Sequence, residues 1–174
     1  MKEKTQKNLM AAFSGESEAR NKYTFWASVA RKEGWLEIAE IFEETAKNEK
    51  EHAEVIMKLL KSINDSRTNL QGAVKGESWE YQDMYPGFLA DAKEEGETEA
   101  AKFFETVAKV EEHHAQRFKA LLEQLEKGSL LRKDAPVKWK CRECGYLHEG
   151  TEPPDTCPLC GHGKEYYEPY GQTY

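Results

Sequence analysis

Apolar residues recur every three to four positions through most of the first 126 residues, the period of amphipathic helices. The pattern predicts four of them: helix A over about 3–31, B over 35–62, C over 77–94 and D over 97–126. Gly34 and Gly96 fall at the turns from A to B and from C to D, where a helix ending on a left-handed residue favours glycine. Pro86 lies inside C and predicts a kink or an irregular start. The polar stretch 63–76 between B and C predicts a loop. Its fourteen residues reach about 45 Å if extended, and a helix the length of B is about 42 Å long. The expectation is therefore a crossover running the length of a bundle, which is ferritin-like topology.

The stripes are interrupted in a repeated way. In B, the apolar positions Phe42, Ala46, Ala53 and Ile56 enclose Glu49 and His52. In D, Phe104, Ala108, Ala115 and Phe118 enclose Glu111 and His114. Residues 39–60 laid over 101–122 give ten identities in 22 positions at a shift of 62. "ARKEG" (30–34) and "AKEEG" (92–96) match at the same shift, whereas the two "GES" triplets, 15–17 and 76–78, match at 61. One helical hairpin is used twice. Helix A adds Glu16 to its stripe of Leu9, Phe13, Tyr23 and Trp26, and C adds Glu77 and Glu80 beside Tyr81, Met84 and Phe88.

An isolated Glu-x-x-His on a helix is ordinary solvated surface. Two in register, inside apolar stripes and joined by further glutamates, are not. An unpaired buried carboxylate costs several kcal/mol, and no Lys or Arg stands at the same depth, since Arg20 and Lys109 flank the stripes. Cations balance such a cluster. A Glu from each of two helices plus Glu-x-x-His from each of the other two is the di-iron carboxylate arrangement of a four-helix bundle. Five ligand glutamates also account for most of the net charge of −7. His113 and the Glu94/Glu97 pair fall off the stripes and read as surface.

Composition changes after Lys127. "KGSLLRKDAP" reads as a linker, and residues 137–174 hold all four cysteines, four of six prolines and five of eight tyrosines. The expected domains are a bundle over 1–127, a linker over 128–136 and a metal-binding module over 137–174. So short a module needs a metal or a partner to fold. Its cysteines form two Cys-x-x-Cys knuckles, Cys141/Cys144 and Cys157/Cys160, each followed by glycine, the pattern of a tetrathiolate site. The ligands alone leave zinc and iron open; a two-iron site nearby gives a one-electron iron centre a task. His148 and His162 read as surface. The acidic balance argues against nucleic acid or an anionic membrane as partner. There is no long apolar run or apolar N-terminal segment, and the expected location is the cytoplasm.

Over nearly its whole length the sequence resembles the rubrerythrin family. "AFSGESEARNKY", "NEKEH", "GESWEYQDMYPGF", "EEHHAQRF" and the rubredoxin-like "CRECGY…CPLCG" carry the resemblance, in order and spacing. It implies an all-α ferritin-like four-helix bundle with a small C-terminal rubredoxin-like metal-binding domain. It also implies di-iron ligands at Glu16, Glu49, His52, Glu77, Glu80, Glu111 and His114, with an oxo group able to bridge the irons. Glu80 corresponds to the carboxylate that exchanges with His52 as the redox state changes, and Tyr23 and Tyr85 to tyrosines beside the cluster. Cys141, Cys144, Cys157 and Cys160 correspond to the ligands of one iron, a place zinc can also take. The implied activity is a non-haem di-iron peroxidase that reduces hydrogen peroxide to water in oxidative stress protection. Electrons would come from an NAD(P)H-dependent reductase or a rubredoxin. The implied assembly is a head-to-tail homodimer open to domain swapping. The alternative is a ferroxidase or iron-storage protein of the ferritin class.

Overall fold

The structure, a computed structural model, describes residues 1–171. The last three positions of the expected 137–174 module thus lie outside the described residues. Two compact units part between Asn64 and Asp65.

The first unit is a hairpin of α1 (Glu3–Glu33) and α2 (Leu36–Leu59). Gly34 closes α1 at φ 88°, and Trp35 N–H donates to Ala30 O at 2.9 Å. This is the left-handed glycine cap expected from the sequence. Ala27, Ala30 and Ala39 are buried against Phe42, so the helices approach through small side chains. Arg31 grips Glu43 across the hairpin with two bonds, 3.0 and 2.8 Å.

The second unit begins with α3 (Ser66–Trp79), passes through a π-helical segment (Glu80–Met84) into α4 (Tyr85–Glu95), and returns along α5 (Thr98–Glu126). Gly96, at φ 79°, repeats the cap, with Glu97 N–H donating to Ala92 O at 2.8 Å. Ser66–Glu95 is one continuous helical run, so the described residues contain four long helices.

Two expectations change here. Helix C starts at Ser66, not at 77. The Asp65 side chain accepts from Thr68 N–H at 2.8 Å and caps the first turn. The connection after α2 is therefore only residues 60–65. Those residues cannot form a crossover running the length of a bundle. The irregularity expected around Pro86 takes the form of the π segment. Its wider turn ends where Pro86 enters the first turn of α4, a position that needs no backbone N–H.

Three short antiparallel strands follow: β1 (Val137–Cys141), β2 (Leu147–Gly150) and β3 (Tyr167–Pro169), in the order β2-β1-β3. Trp139, Cys141, Cys157 and Tyr167 form their core. The Trp139 indole N–H donates to Gly150 O at 2.9 Å.

Candidate metal centres

Each helical unit carries a three-residue group of metal-ligand type. In the first, ligand atoms of Glu16, Glu49 and His52 lie within 4.8 Å of one another; in the second, those of Glu77, Glu111 and His114 do. The helix places Glu49 one turn below His52, so His52 Nδ1 meets Glu49 Oε2 at 3.0 Å, and Glu16 Oε2 arrives from α1 at 3.6 Å. The second unit repeats this: His114 Nδ1 lies 2.7 Å from Glu111 and 3.6 Å from Glu77. An ion held at about 2.1 Å by each atom puts neighbouring ligand atoms about 3 Å apart. Both groups are thus already spaced for one ion each. Two carboxylates and an imidazole also suit iron chemically, and they balance a divalent charge.

The electrostatics are those of a cation site holding protons. Sharing a hydrogen bond with Glu49 raises the Glu16 carboxyl above its usual value, and burial adds to the effect. The same bond, with that from His52, lowers Glu49. The Glu49 carboxylate raises His52. Glu77 is raised by burial first, then by its hydrogen bond to Glu111 and by the charges of Glu111 and Glu80.

The remaining predicted residues surround these groups. Glu80 is half-buried and opens the π segment. It stands outside the three-membered group, close enough for its charge to act on Glu77 and Tyr85. Burial raises the Tyr85 hydroxyl, helped by Glu80, Glu111 and Glu77, so this tyrosine faces the acids. Its ring packs on Phe88 and Phe104, at 6.3 and 6.2 Å. The Tyr23 ring packs on Trp26 and Phe42 in the same way, at 5.6 and 5.9 Å. His113 is exposed, as expected from its register.

All four cysteines converge. Cys141 and Cys160 sulfurs are 3.7 Å apart, and those of Cys144 and Cys157 are 3.6 Å apart. Metal–sulfur bonds of about 2.3 Å in a tetrahedron give edges of about 3.8 Å. Both knuckles fold alike: Gly145 at φ 77° returns its N–H to Cys141 O, and Gly161 at φ 75° to Cys157 O, each at 2.9 Å. A side chain at either glycine would be strained in this left-handed backbone.

His162 is not the bystander the sequence indicated. It is half-buried, and its Nδ1 lies 3.3 Å from Cys160 Sγ. Tyr167, which no sequence pattern singles out, is 2% exposed beside Cys157. Among the described residues, no helix is long and apolar enough to cross a membrane.

Comparison with known proteins agrees with this geometry. The family model for rubrerythrin matches residues 7–122, and that for the rubrerythrin rubredoxin-like domain matches 139–168. A rubrerythrin of Clostridium perfringens is 44% identical, over 98% of this chain and 96% of its own. One from Porphyromonas gingivalis is 42% identical, over 98% and 92%. One from Nitratidesulfovibrio vulgaris is 40% identical, over 97% and 95%.

Proposed function

The chain belongs to the rubrerythrin family, with a ferritin-like helical domain, a di-iron carboxylate site and a four-cysteine rubredoxin-like site, and on that premise we propose that it reduces hydrogen peroxide to water. The observation that carries the reading is the pair of matched carboxylate–imidazole groups in a chain that also holds a tetrathiolate site. A storage protein has no need of a built-in electron entry. The ligands in this reading are Glu16, Glu49, His52, Glu77, Glu80, Glu111 and His114, within a domain over 1–127 that a 128–136 linker joins to the cysteine module.

Two ferrous ions held by these ligands would supply the two electrons that, with two protons, convert one peroxide to two waters. The chain's own residues supply the rest. Glu16, Glu49, Glu77 and Glu111 fix the charge of the site. Tyr85, pressed toward the acids, orients their oxygens by hydrogen bonding, with Tyr23 as its counterpart in the first half. Glu80 is the carboxylate free to move, because no partner in the first half answers it, and His52 is the ligand it exchanges with. Iron held by Cys141, Cys144, Cys157 and Cys160 would supply a one-electron entry point for an NAD(P)H-dependent reductase or a rubredoxin. The protein acts in the cytoplasm in this reading.

The assembly is a head-to-tail dimer in which the two hairpins are exchanged between copies. In ferritin-like order α2 and the next helix point the same way. Bringing Glu49 and Glu77 to one level then requires the connection to climb about 30 Å, from the helical rise between Glu49 and Leu59 and between Ser66 and Glu77. Residues 60–65 span about 25 Å at full extension from Leu59 to Ser66. A second copy removes the conflict.

The test is an anaerobic titration of reduced protein with peroxide. One peroxide consumed per di-iron site, at constant iron content and dimer size, is expected. Iron accumulating in a large particle, with no peroxide consumed, points to the ferroxidase instead.

A further inference from the structure

The groove between α1 and α2 holds a cavity of about 220 Å³, lined by Arg20, Thr24, Glu43, Ala46, Lys47 and Lys50. Ala46 is buried there, and its short side chain leaves the space open. Its three cations come from both helices: Arg20 from α1, and Lys47 and Lys50 from α2, one turn apart. None of the three makes an ion pair among the described residues. Carboxylates one turn away from them are engaged elsewhere. Glu43 is held by Arg31 through two bonds, Glu54 by Lys58, and Glu16 lies against His52. The repeat supplies an internal comparison. The matching groove of the second hairpin holds a cavity of about 190 Å³. Thr24, Glu43, Ala46, Lys47 and Lys50 recur there at Pro86, Glu105, Ala108, Lys109 and Glu112, 62 residues on, and Arg20 recurs at Tyr81, 61 on. One scaffold thus makes two cavities of similar size and different charge. The first has three cations and one acid, the second one cation and two acids. The hairpin does not need the extra cations to fold, since the second groove is built with Tyr81 and Glu112 in place of Arg20 and Lys50.

We propose that the groove between α1 and α2 is a binding site for a phosphate-type oxyanion, either the free ion or the phosphate group of a small metabolite. Arg20 offers a planar fork of N–H donors that matches two oxygens of such an anion. Lys47 and Lys50 add point charges from the other helix. Three cations around one small volume suit an anion with more than one negative charge, whereas a single carboxylate leaves cations uncompensated. The site is independent of the peroxide reading: none of its residues is a proposed metal ligand.

The experiment is calorimetric titration of the full-length, metal-loaded protein at low ionic strength, with inorganic phosphate and, separately, with adenosine diphosphate. One anion bound per chain is expected. Arg20→Gln and Lys50→Glu should each weaken binding about tenfold, while Lys109→Gln, in the second groove, should leave it unchanged. All three side chains are exposed, and circular dichroism checks that the helices are retained. Equal affinity for the two probes identifies the free ion as the occupant; tighter binding of the nucleotide, weakened in the same two variants, identifies a phosphorylated metabolite. Either result supports the site. Absence of binding by both probes overturns the proposal. So does binding that Arg20→Gln and Lys50→Glu leave undiminished, as phosphate held on the metals would be.

Discussion

Carboxylates next to an imidazole explain why metal and proton compete here. In the metal-free fold Glu16, Glu77 and His52 are all raised above their ordinary values of 4.5 and 6.5. Raised groups stabilise the fold below their unfolded values and lose that contribution as pH rises through the folded ones. Glu49, which is lowered, is already ionised across that window. Melting of metal-free protein should therefore fall as pH rises above 4.5, and further as it rises above 6.5. Loading ferrous ion at about pH 6.5 should release protons, measurable with a dye in weak buffer. Loading without proton release contradicts the assigned ligands. These residues were legible in the sequence because acids at apolar positions of a helix break a period. His162 and Tyr167 were not. They lie in a module of turns, where the fold alone decides which neighbour meets which sulfur.

The π segment accounts for an offset within the repeat. Tyr23, Trp26, Phe42, Glu49 and His52 recur at Tyr85, Phe88, Phe104, Glu111 and His114, all 62 residues on, whereas Glu16 recurs at Glu77, only 61 on. The second half thus carries one extra residue between Glu77 and Tyr85, and the π turn at Glu80–Met84 absorbs it without breaking the helix. Without it, Glu77 and Tyr85 would fall out of register by about 100°. Glu80, within this segment, maps onto no matching ligand in α1. Glu80→Ala should leave the tetrathiolate absorption intact and cut peroxide turnover by roughly 10–100-fold. Deleting Glu80 should do the same while turning the segment into regular α-helix, with circular dichroism showing helicity retained. Undiminished turnover in either variant removes Glu80 from the mechanism. The start of α3 was missed for a different reason. "NDSRTNLQGAVKG" is rich in Asn, Ser, Thr and Gly and resembles a loop, yet Asp65 is a helix cap and Leu70, Ala73 and Val74 carry the helical period into Glu77.

That early start shortens the connection to residues 60–65, and the exchange proposed above rests on that length. Two variants test the exchange: one with Glu49→Ala and His52→Ala, the other with Glu111→Ala and His114→Ala. Each alone should be inactive. If the hairpins are exchanged, a mixed dimer holds one site with both defects and one with none. Co-expression should then restore up to about half of the wild-type turnover per dimer. No recovery in a confirmed mixed dimer means that each chain closes its own site. The bundle class, the repeat and the two ligand groups could be read from periodicity and spacing. The length of the connection could not, because it depends on where one helix begins. The most direct test of the central claim is stopped-flow mixing of anaerobically reduced protein with peroxide and, separately, with air-saturated buffer. The account predicts oxidation of the di-iron site markedly faster with peroxide; equal rates, or a faster reaction with oxygen, contradict it.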